Sequence, residues 1–336
     1  MDKNVLLGFS GGMDSTMAVR LLQDDGYNVT ALTIDTIGDD AMLAKAEAKA
    51  QSMGIRWFKY DAREMFNREV IEYFCAEYSA GRTPAPCTRC NTHIKWKILR
   101  EVADNLGIYH IATGHYFNVE ASNGHLYVAK GIDPAKDQSY YLWGLDQETL
   151  RRAVTPMGQR IKQDVKQHFA DKSESMGICF LGGKHYTDFL SQRCIGMTKG
   201  DVINSQGEVC GHHNGIVRYT SGQRRGEGIP DGLRVLTIDA GTNSVVVGTN
   251  DMLYKHKLYI NNCNIVYERE LLTSEDITVK IRGIGKNPEH PVCVERDGNG
   301  YMVSLNDPAW APAIGQPLVF YRKNMVIGGG IVVGFE

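Results

Sequence analysis

The sequence predicts an α/β protein in which a doubly wound parallel sheet comes first, followed by a small β-rich domain and a C-terminal antiparallel β-barrel. In the first half, short apolar runs alternate with segments whose apolar residues recur at intervals of three and four. Later segments alternate apolar and polar residues between turn residues. The first pattern is typical of a parallel sheet with helical connections, and the second is typical of antiparallel sheets.

Four apolar runs are the predicted strands of the parallel sheet. They occupy residues 5–9, 29–34, 55–60 and 108–113. Gly26, Gly54 and Gly107 each follow a helical pattern, as expected for a glycine that ends a helix. In a sheet of this kind the ligand binds at the carboxyl ends of the strands.

The remainder of the chain changes from helical to strand-like patterns. Residues 140–192 are predicted to be largely helical, and short strands with turns follow in residues 201–249. The final block alternates apolar and polar residues, which predicts a small barrel. We therefore predict three domains, at residues 1–192, 193–254 and 255–336.

The composition is that of a soluble protein without a membrane segment. The 336 residues carry a net charge of −2 and are 43% apolar, which is enough for ordinary cores. A nucleic-acid partner must therefore be held by local basic patches. The apolar run near the N-terminus is too short for a signal peptide, and the longest later run, residues 325–335, contains four glycines. We expect a cytoplasmic protein with no membrane partner.

A glycine-rich run directly after the first predicted strand predicts a phosphate-binding loop. The run is Gly8-Phe9-Ser10-Gly11-Gly12-Met13-Asp14-Ser15. Paired glycines let successive N–H groups point into one concavity, the two serines add hydroxyl donors, and the following helix offers its positive N-terminus. The run lacks the lysine of kinase and GTPase loops, and a plain turn has no use for two serines and an aspartate.

The eight cysteines fall into two groups. A disulfide framework is not expected in a chain without a signal peptide. Five cysteines in apolar or strand-like contexts are interpreted as small buried hydrophobic residues: Cys75, Cys194, Cys210, Cys263 and Cys293. Cys179 differs because it lies in a glycine-flanked segment that is predicted to be a mobile loop.

Cys87 and Cys90 form a Cys-x-x-Cys pair in a proline-stiffened loop, before a helix that is predicted to start near Asn91. A helix N-terminus and the nearby Arg82 and Arg89 favour the thiolate form of both. A single Cys-x-x-Cys motif is compatible with redox, zinc or iron–sulfur chemistry. A four-ligand zinc site would need a second pair.

Taken together, the motifs resemble those of the tRNA-specific 2-thiouridylase family, within the ATP pyrophosphatase superfamily, along nearly the whole chain. The matching stretches are residues 8–15, 81–84, 90–91, 94–95, 112–116, 136–140, 175–180, 220–226 and 328–330. The resemblance implies a first domain of the adenine nucleotide α hydrolase-like fold. It also implies an enzyme that uses ATP and Mg²⁺ to adenylate the C2 oxygen of the wobble uridine, position 34 of tRNA, and then replaces that oxygen with sulfur.

The same resemblance implies roles for individual residues. ATP would be bound by Gly8, Phe9, Ser10, Gly11, Gly12, Met13, Asp14, Ser15, Ile34 and Gly114. The tRNA would be contacted by Ala85, Pro86, Cys87, Lys136, Asp137, Gln138, Arg282 and Gly283. The catalytic residues would be Asp14, Cys90 and Cys179.

In the chemistry that the resemblance implies, Cys179 carries the incoming sulfur as a persulfide. Cys90 attacks it, which either releases sulfur to the activated uridine or leaves a Cys90–Cys179 disulfide. A sulfur donor such as a cysteine desulfurase or a sulfur-relay protein would be a second partner.

Basic residues beside the motifs are interpreted as contacts to tRNA phosphates. Those expected to grip the anticodon stem are Arg82, Arg89, Lys95, Lys97 and Arg100. Those expected to hold the rest of the tRNA are Arg224, Arg225 and Arg282.

Three alternatives remain open. Position 87 is Cys where the family usually has Asp. Cys87, Cys90 and Cys179 would therefore suffice to hold an iron–sulfur cluster with one iron open to hydrosulfide. The persulfide route, in contrast, assigns no metal ligands. An adenylating ligase or amidotransferase of the same superfamily would share the phosphate loop but would not need Cys90 and Cys179. A noncatalytic RNA-binding protein would use the barrel but not the loop.

Overall fold

The computed structural model describes residues 3–170, 177–193, 195–282 and 286–336. The chain divides into two compact units. The first is Met1–Val70, Cys87–Met176 and Asn324–Val326, and the second is Ile71–Pro86, Gly177–Lys323 and Ile327–Glu336. Among the residues described, no helix is long and apolar enough to cross a bilayer. The three domain boundaries given above stay a prediction.

The first unit is built around a parallel sheet. Its strands are β1 (Asn4–Gly8), β2 (Asn28–Asp35), β3 (Arg56–Asp61), β4 (His110–Thr113), β5 (Phe117–Ser122), β6 (His125–Lys130) and β7 (Ala153–Val154). Five of them are parallel, in the order β3-β2-β1-β4-β7. The doubly wound sheet is confirmed, and β1 to β4 lie where the apolar runs predicted them. The edge strand β7 contradicts the prediction of helix there, because two residues are too few to carry a strand pattern.

Helices connect these strands and continue into the second unit. The α-helices are α1 (Met13–Asp24), α2 (Asp40–Ser52), α3 (Arg63–Phe66), α4 (Tyr73–Ser79), α5 (Pro86–Cys90), α6 (Trp96–Asn105), α7 (Gln147–Arg152), α8 (Lys162–Gln167), α9 (Tyr186–Gln192) and α10 (Glu268–Thr273). Asn67–Glu72 and Asn91–Lys95 are π-helical turns. Short 3₁₀ turns are Ser139–Leu142, Cys179–Leu181, Ile216–Arg218 and Asn250–Leu253.

The strand order positions the ligand site. Val5, Leu6 and Leu7 of β1 are fully buried, as expected for a central parallel strand covered on both faces. From β1 the chain moves to β2 on one side, and later to β4 on the other side. The carboxyl ends of β1 and β4 therefore form the switch point of the sheet, which is where doubly wound folds bind their ligands.

The strands β5 and β6 form a hairpin that the sequence analysis did not anticipate. Its turn is Asn123-Gly124, with φ of 51° and 78°, which is the signature of a two-residue hairpin turn. Ala129 of β6 pairs with Met325.

The second unit contains two β-sheets. Strands β8 (Gly200–Ile203), β9 (Val209–His213), β10 (Arg234–Asp239) and β11 (Ser244–Gly248) have the order β10-β11-β8-β9. Strands β12 (Tyr254–Ile265), β13 (Ile277–Lys280), β14 (Val292–Asp297), β15 (Gly300–Trp310), β16 (Pro317–Arg322) and β17 (Met325–Phe335) follow in the order β13-β16-β17-β12-β15-β14. The predicted small β domain and the antiparallel C-terminal domain are thereby confirmed.

Candidate active site

The loop between β1 and α1 is pre-shaped by its own side chains. Ser15 Oγ donates to the Gly12 carbonyl at 3.1 Å and accepts from the Ser10 backbone N–H at 3.3 Å. The Gly12 N–H donates to Ser10 Oγ at 3.3 Å. Gly11 has φ of +69°, and a Cβ there would lie 2.8 Å from the Cα of Ala46, so both the backbone turn and the helix behind it require glycine.

The N-terminus of α1 is left open to an anion. Its N-cap residue, Gly12, has no side chain that could accept a hydrogen bond from the first turn. The N–H groups of that turn therefore have their partial positive charge available for a bound phosphate.

A cavity of about 440 Å³ lies at the switch point of the sheet, within the first unit. It is lined by Gly8, Phe9, Ser10, Gly12, Met13, Asp14, Ser15, Leu32, Thr33, Ile34, Met42, Lys95, Leu99, Thr113, Gly114, His115, Gln138 and Lys162. This volume is within the range of ordinary small-molecule sites. The structure thus brings the predicted loop, Ile34 and Gly114 together around one cavity. Gly11 is not among the lining residues.

Two hydrogen bonds, one buried and one partly buried, fix the β1–β2 side of the cavity. Thr33 Oγ1 donates to the Phe9 carbonyl at 2.7 Å, and Trp57 Nε1 donates to Thr33 Oγ1 at 2.8 Å. On the opposite side, a Cβ on Gly114 would lie 3.0 Å from the Ser15 backbone nitrogen and 3.1 Å from the Asp14 carbonyl carbon. Glycine at position 114 therefore lets β4 approach the phosphate loop closely.

Asp14 lies at the centre of a polar cluster in the cavity. Lys162 Nζ is 2.5 Å from Asp14 Oδ1, and the Tyr116 hydroxyl donates to the same oxygen at 2.8 Å. The sequence analysis did not single out Lys162 or Tyr116 as site residues. A lysine about 150 positions after the loop carries no local motif, and only the fold shows where it lies.

His115 is a second ionisable group that the sequence analysis assigned no role. Its Nδ1 is 2.8 Å from Thr113 Oγ1, and its ring stacks on Trp96. Burial, with a smaller contribution from the positive charge of Lys95, lowers the pKa of His115 to about 3. The imidazole is therefore neutral at physiological pH. Lys95, which was predicted to contact the anticodon stem, lines the same cavity.

The segment 136–138, predicted to contact tRNA, has internal partners. Asp137 Oδ1 accepts from the N–H groups of Gly131 and Ser139, both at 3.1 Å. Gln138 Oε1 accepts from the Tyr116 N–H at 3.0 Å, and Gln138 also lines the cavity. Asp137 and Gln138 thus hold this loop beside the cavity.

The paired cysteines lie inside a helix rather than before one, which corrects the predicted start near Asn91. The helix α5 begins at Pro86, because proline suits a first helical position, and ends at Cys90. Cys87 is exposed and Cys90 is buried, with 6% of its surface exposed. In the second unit, Cys179 is exposed and begins a 3₁₀ turn. Residues 171–176, which include part of the expected loop, lie outside the described residues.

The cysteines interpreted as buried hydrophobic residues are only partly as predicted. Cys75 is buried, but Cys210 and Cys293 are exposed and Cys263 is half-buried. The prediction is wrong for Cys210 and Cys293 because they stand on the solvent-facing positions of their strands. Cys194 lies outside the described residues.

Several arginines that were predicted to contact tRNA phosphates form ion pairs within the protein. Arg89 bonds to Glu69 at 3.0 Å, and Arg100 to Asp146 at 2.8 Å. In the second unit, Arg82 bonds to Glu77 at 2.6 Å. The Arg89 and Arg82 charges are thus balanced, so neither arginine is simply a positive charge beside a thiol.

Arg282 also has protein partners. Its guanidinium donates to the carbonyls of Trp310 and Ala311 and lies 5.6 Å from the Trp310 ring centroid. Arg224 and Arg225 are exposed, as a phosphate contact requires. Gly283 lies outside the described residues.

Models of three protein domains match the chain in succession. The tRNA methyl transferase HUP domain matches residues 3–183, the tRNA methyl transferase PRC-barrel domain residues 187–249, and the aminomethyltransferase beta-barrel domain residues 255–332. Together they cover most of the chain.

Curated proteins match over almost their whole length. The chain is 38% identical to tRNA-specific 2-thiouridylase MnmA 2 of Phocaeicola vulgatus, over 99% of this chain and 98% of that protein. It is 37% identical to MnmA 1 of Bacteroides fragilis, over 98% and 97%. It is 33% identical to MnmA of Clostridium acetobutylicum, over 99% and 100%. The names of these relatives describe sulfur transfer, although the domain models are named after methyl transfer.

Proposed function

Because this chain belongs to the family of tRNA-specific 2-thiouridylases, we propose that it adenylates the C2 oxygen of the uridine at position 34 of tRNA and replaces that oxygen with sulfur. It is an enzyme of tRNA modification that uses ATP. The observation that carries the proposal is the cavity at the switch point of the sheet, where a phosphate loop without a kinase lysine meets the carboxyl ends of β1, β2 and β4. We place the reaction in the cytoplasm.

Adenylation makes a poor leaving group into a good one. A uridine carbonyl oxygen cannot be displaced by sulfur directly, whereas AMP leaves readily. The loop N–H groups, the N-terminus of α1 and the hydroxyls of Ser10 and Ser15 stabilise the phosphate charge. Mg²⁺ fits this site because Asp14 offers a carboxylate beside the loop, and it would act there as a Lewis acid.

The sulfur step follows from thiol chemistry. The terminal sulfur of a Cys179 persulfide attacks C2 and AMP leaves; the Cys90 thiolate then attacks Cys179 Sγ, the S–S bond to the transferred sulfur breaks, and a Cys90–Cys179 disulfide remains. A thiol reductant restores both thiols. The exposure of Cys179 supports sulfur delivery by a partner protein, such as a cysteine desulfurase or a sulfur-relay protein.

The substrate base must leave the anticodon stack to be reached. We propose that Ala85–Cys87, Lys136–Gln138 and Arg282–Gly283 lie against the tRNA. The bonds made by Asp137 and Gln138 in the first unit, and by Arg282 in the second, support a role in holding each segment in shape.

The first prediction concerns Cys90 and Cys179. Cys90→Ser and Cys179→Ser should each abolish formation of 2-thiouridine in an assay with tRNA, ATP and a persulfide donor, because each removes a sulfur atom that the reaction requires. The matched controls Cys293→Ser, on an exposed strand position, and Cys75→Ser, in the core, should stay near wild type.

The nucleotide products of the wild-type reaction should be AMP and pyrophosphate. ADP as the product, or full activity of Cys179→Ser, would refute the proposal.

The second prediction separates persulfide transfer from an iron–sulfur cluster held by Cys87, Cys90 and Cys179. Cys87 is exposed and precedes Cys90 by three positions, the spacing that raises the cluster alternative. In the persulfide route Cys87→Asp should remain active, because Cys87 takes no part in either sulfur bond. Anaerobically reconstituted wild type with about four irons per chain, and loss of both iron and activity in Cys87→Asp, would favour the cluster, since carboxylate is a poor iron–sulfur ligand.

A further inference from the structure

Lys162 has an unusual position for a lysine. It begins α8, only 6% of its side chain is exposed, and it lines the nucleotide cavity. Its ammonium lies 2.5 Å from Asp14 Oδ1 and 5.8 Å from the centroid of the Tyr116 ring. A buried ammonium is costly unless an anion accompanies it, and in this structure that anion belongs to the phosphate loop itself.

The backbone of Lys162 is also held in place. Its N–H donates to Asp133 Oδ2 at 2.8 Å, and Asp133 is itself buried, with 7% of its surface exposed. The other carboxylate oxygen of Asp133 accepts from the Ala135 N–H at 3.0 Å. The start of α8 is therefore fixed to the segment after β6, and the side chain enters the cavity from a defined origin.

Charge balance explains what such a lysine is for. The phosphate loop lacks a lysine of its own, and Asp14 adds a negative charge to a site that must accept a triphosphate. With ATP and Mg²⁺ bound, the Asp14 carboxylate would be available to the metal and the Lys162 ammonium to the phosphate oxygens. Both charged groups can then exchange partners without either becoming a buried, unpaired ion.

We propose that Lys162 is a ligand for the β- and γ-phosphates of ATP and for the pyrophosphate that leaves, and that the ion pair with Asp14 holds it in place until the nucleotide binds. Negative charge develops on the pyrophosphate as the bond between the α- and β-phosphates breaks. An ammonium ready at that position stabilises the transition state without further reorganisation. The inference rests on the proposed function, because it assumes that ATP is cleaved between those two phosphates.

The test measures binding of three probes by calorimetry in the presence of Mg²⁺: ATP, inorganic pyrophosphate and AMP. Lys162→Met should weaken ATP and pyrophosphate by roughly 10- to 100-fold, the range for loss of a charged hydrogen bond, and should leave AMP within about twofold. Lys162→Arg should recover part of the loss because it restores the charge. Lys166→Met, one turn later on α8 and not among the cavity-lining residues, is the matched control and should bind all three as wild type does.

Thermal unfolding of each ligand-free variant shows whether the fold is intact. Wild-type affinity of Lys162→Met for ATP would overturn the inference, and so would an equal loss for AMP, which would mean that the whole cavity had changed. Either result would leave the proposed function standing, because that is tested by thiolation of tRNA. If the wild-type protein bound neither ATP nor pyrophosphate, both proposals would fail.

Discussion

His115 shows how the cavity controls the charge of a single residue. Its ring faces the cavity but is surrounded by protein, and burial lowers its pKa to about 3. With Nδ1 bonded to Thr113 and the ring stacked on Trp96, the imidazole stays neutral beside the positively charged Lys95. The histidine of the cavity therefore adds no positive charge to those of Lys95 and Lys162.

Because His115 stays neutral in the folded state, the stability of the protein falls in acid. The unfolded chain binds a proton on His115 below about pH 6.5, whereas the folded chain does not until about pH 3, so stability is lost as pH falls through that window. We expect wild type to lose about 1 kcal/mol more than His115→Gln between pH 7 and pH 5, allowing for solvent in the cavity.

Unfolding by urea, followed by tryptophan fluorescence, checks this expectation. Trp57, Trp96 and Trp143 lie in the first unit and only Trp310 lies in the second, so the signal reports mainly on the first unit. An identical pH dependence in the two proteins would show that His115 is not held neutral.

The residues that the sequence identified are those in compact motifs. All of the phosphate loop except Gly11 lines one cavity with Ile34 and Gly114, because a Gly-rich turn between a strand and a helix is specified locally. That these residues bind ATP stays a prediction. Lys162 and Tyr116 were missed because their closeness to Asp14 depends on the fold. That Lys95 lines this cavity was also missed, because a basic residue near a motif gives no information on the direction of its side chain.

At the scale of elements, the site depends on how closely β4 meets α1. The predicted strands needed only an apolar run of five or six residues, so β1 to β4 could be read from the sequence. The edge strand β7 could not be predicted, because its pairing depends on the neighbouring strand β4. The helical start of α5 could not be predicted either, because it depends on one residue, Pro86. The π-helical turn Asn91–Lys95 likewise left no sequence signal, although it precedes α6 and carries Lys95 to the cavity.

Gly114→Ala tests this close approach. The added methyl group would press on backbone atoms of Asp14 and Ser15, which cannot move aside as a side chain can. We expect the affinity for ATP to fall by roughly tenfold and the protein to lose about 1–3 kcal/mol of stability. Gly334→Ala is the control, since its Cβ would meet nothing nearer than 3.7 Å. Unchanged affinity for ATP in Gly114→Ala would refute the packing argument.

At the scale of the whole molecule, positive charge is local rather than general. The net charge is −2, and Arg82, Arg89 and Arg100 form ion pairs inside their own units. Arg224 and Arg225 are exposed on a loop whose Gly222 N–H donates to the Val235 carbonyl at 2.8 Å. These two arginines are therefore presented to solvent from a backbone that is held in place.

Removing this pair should change the salt dependence of tRNA binding. We expect Arg224→Gln combined with Arg225→Gln to reduce the slope of log Kd against log salt by about 2, because each phosphate contact contributes nearly one unit. Arg269→Gln, an exposed arginine on α10, should leave the slope unchanged. Filter binding of tRNA over a range of potassium chloride concentrations measures both. An unchanged slope in the double variant would place the tRNA elsewhere.

The pairing of Ala129 with Met325 has a consequence for the order in which the protein is made. The first unit includes Asn324–Val326, so a ribosome that has synthesised the nucleotide-binding loop, the sheet and α8 has not yet supplied the last segment of that unit. During translation this edge of β6 stays unpaired while residues 131–323 emerge, most of which belong to the second unit. A nascent chain stalled just before Asn324 would therefore expose this edge, and chaperones that recognise unpaired strands would have their longest opportunity to bind there.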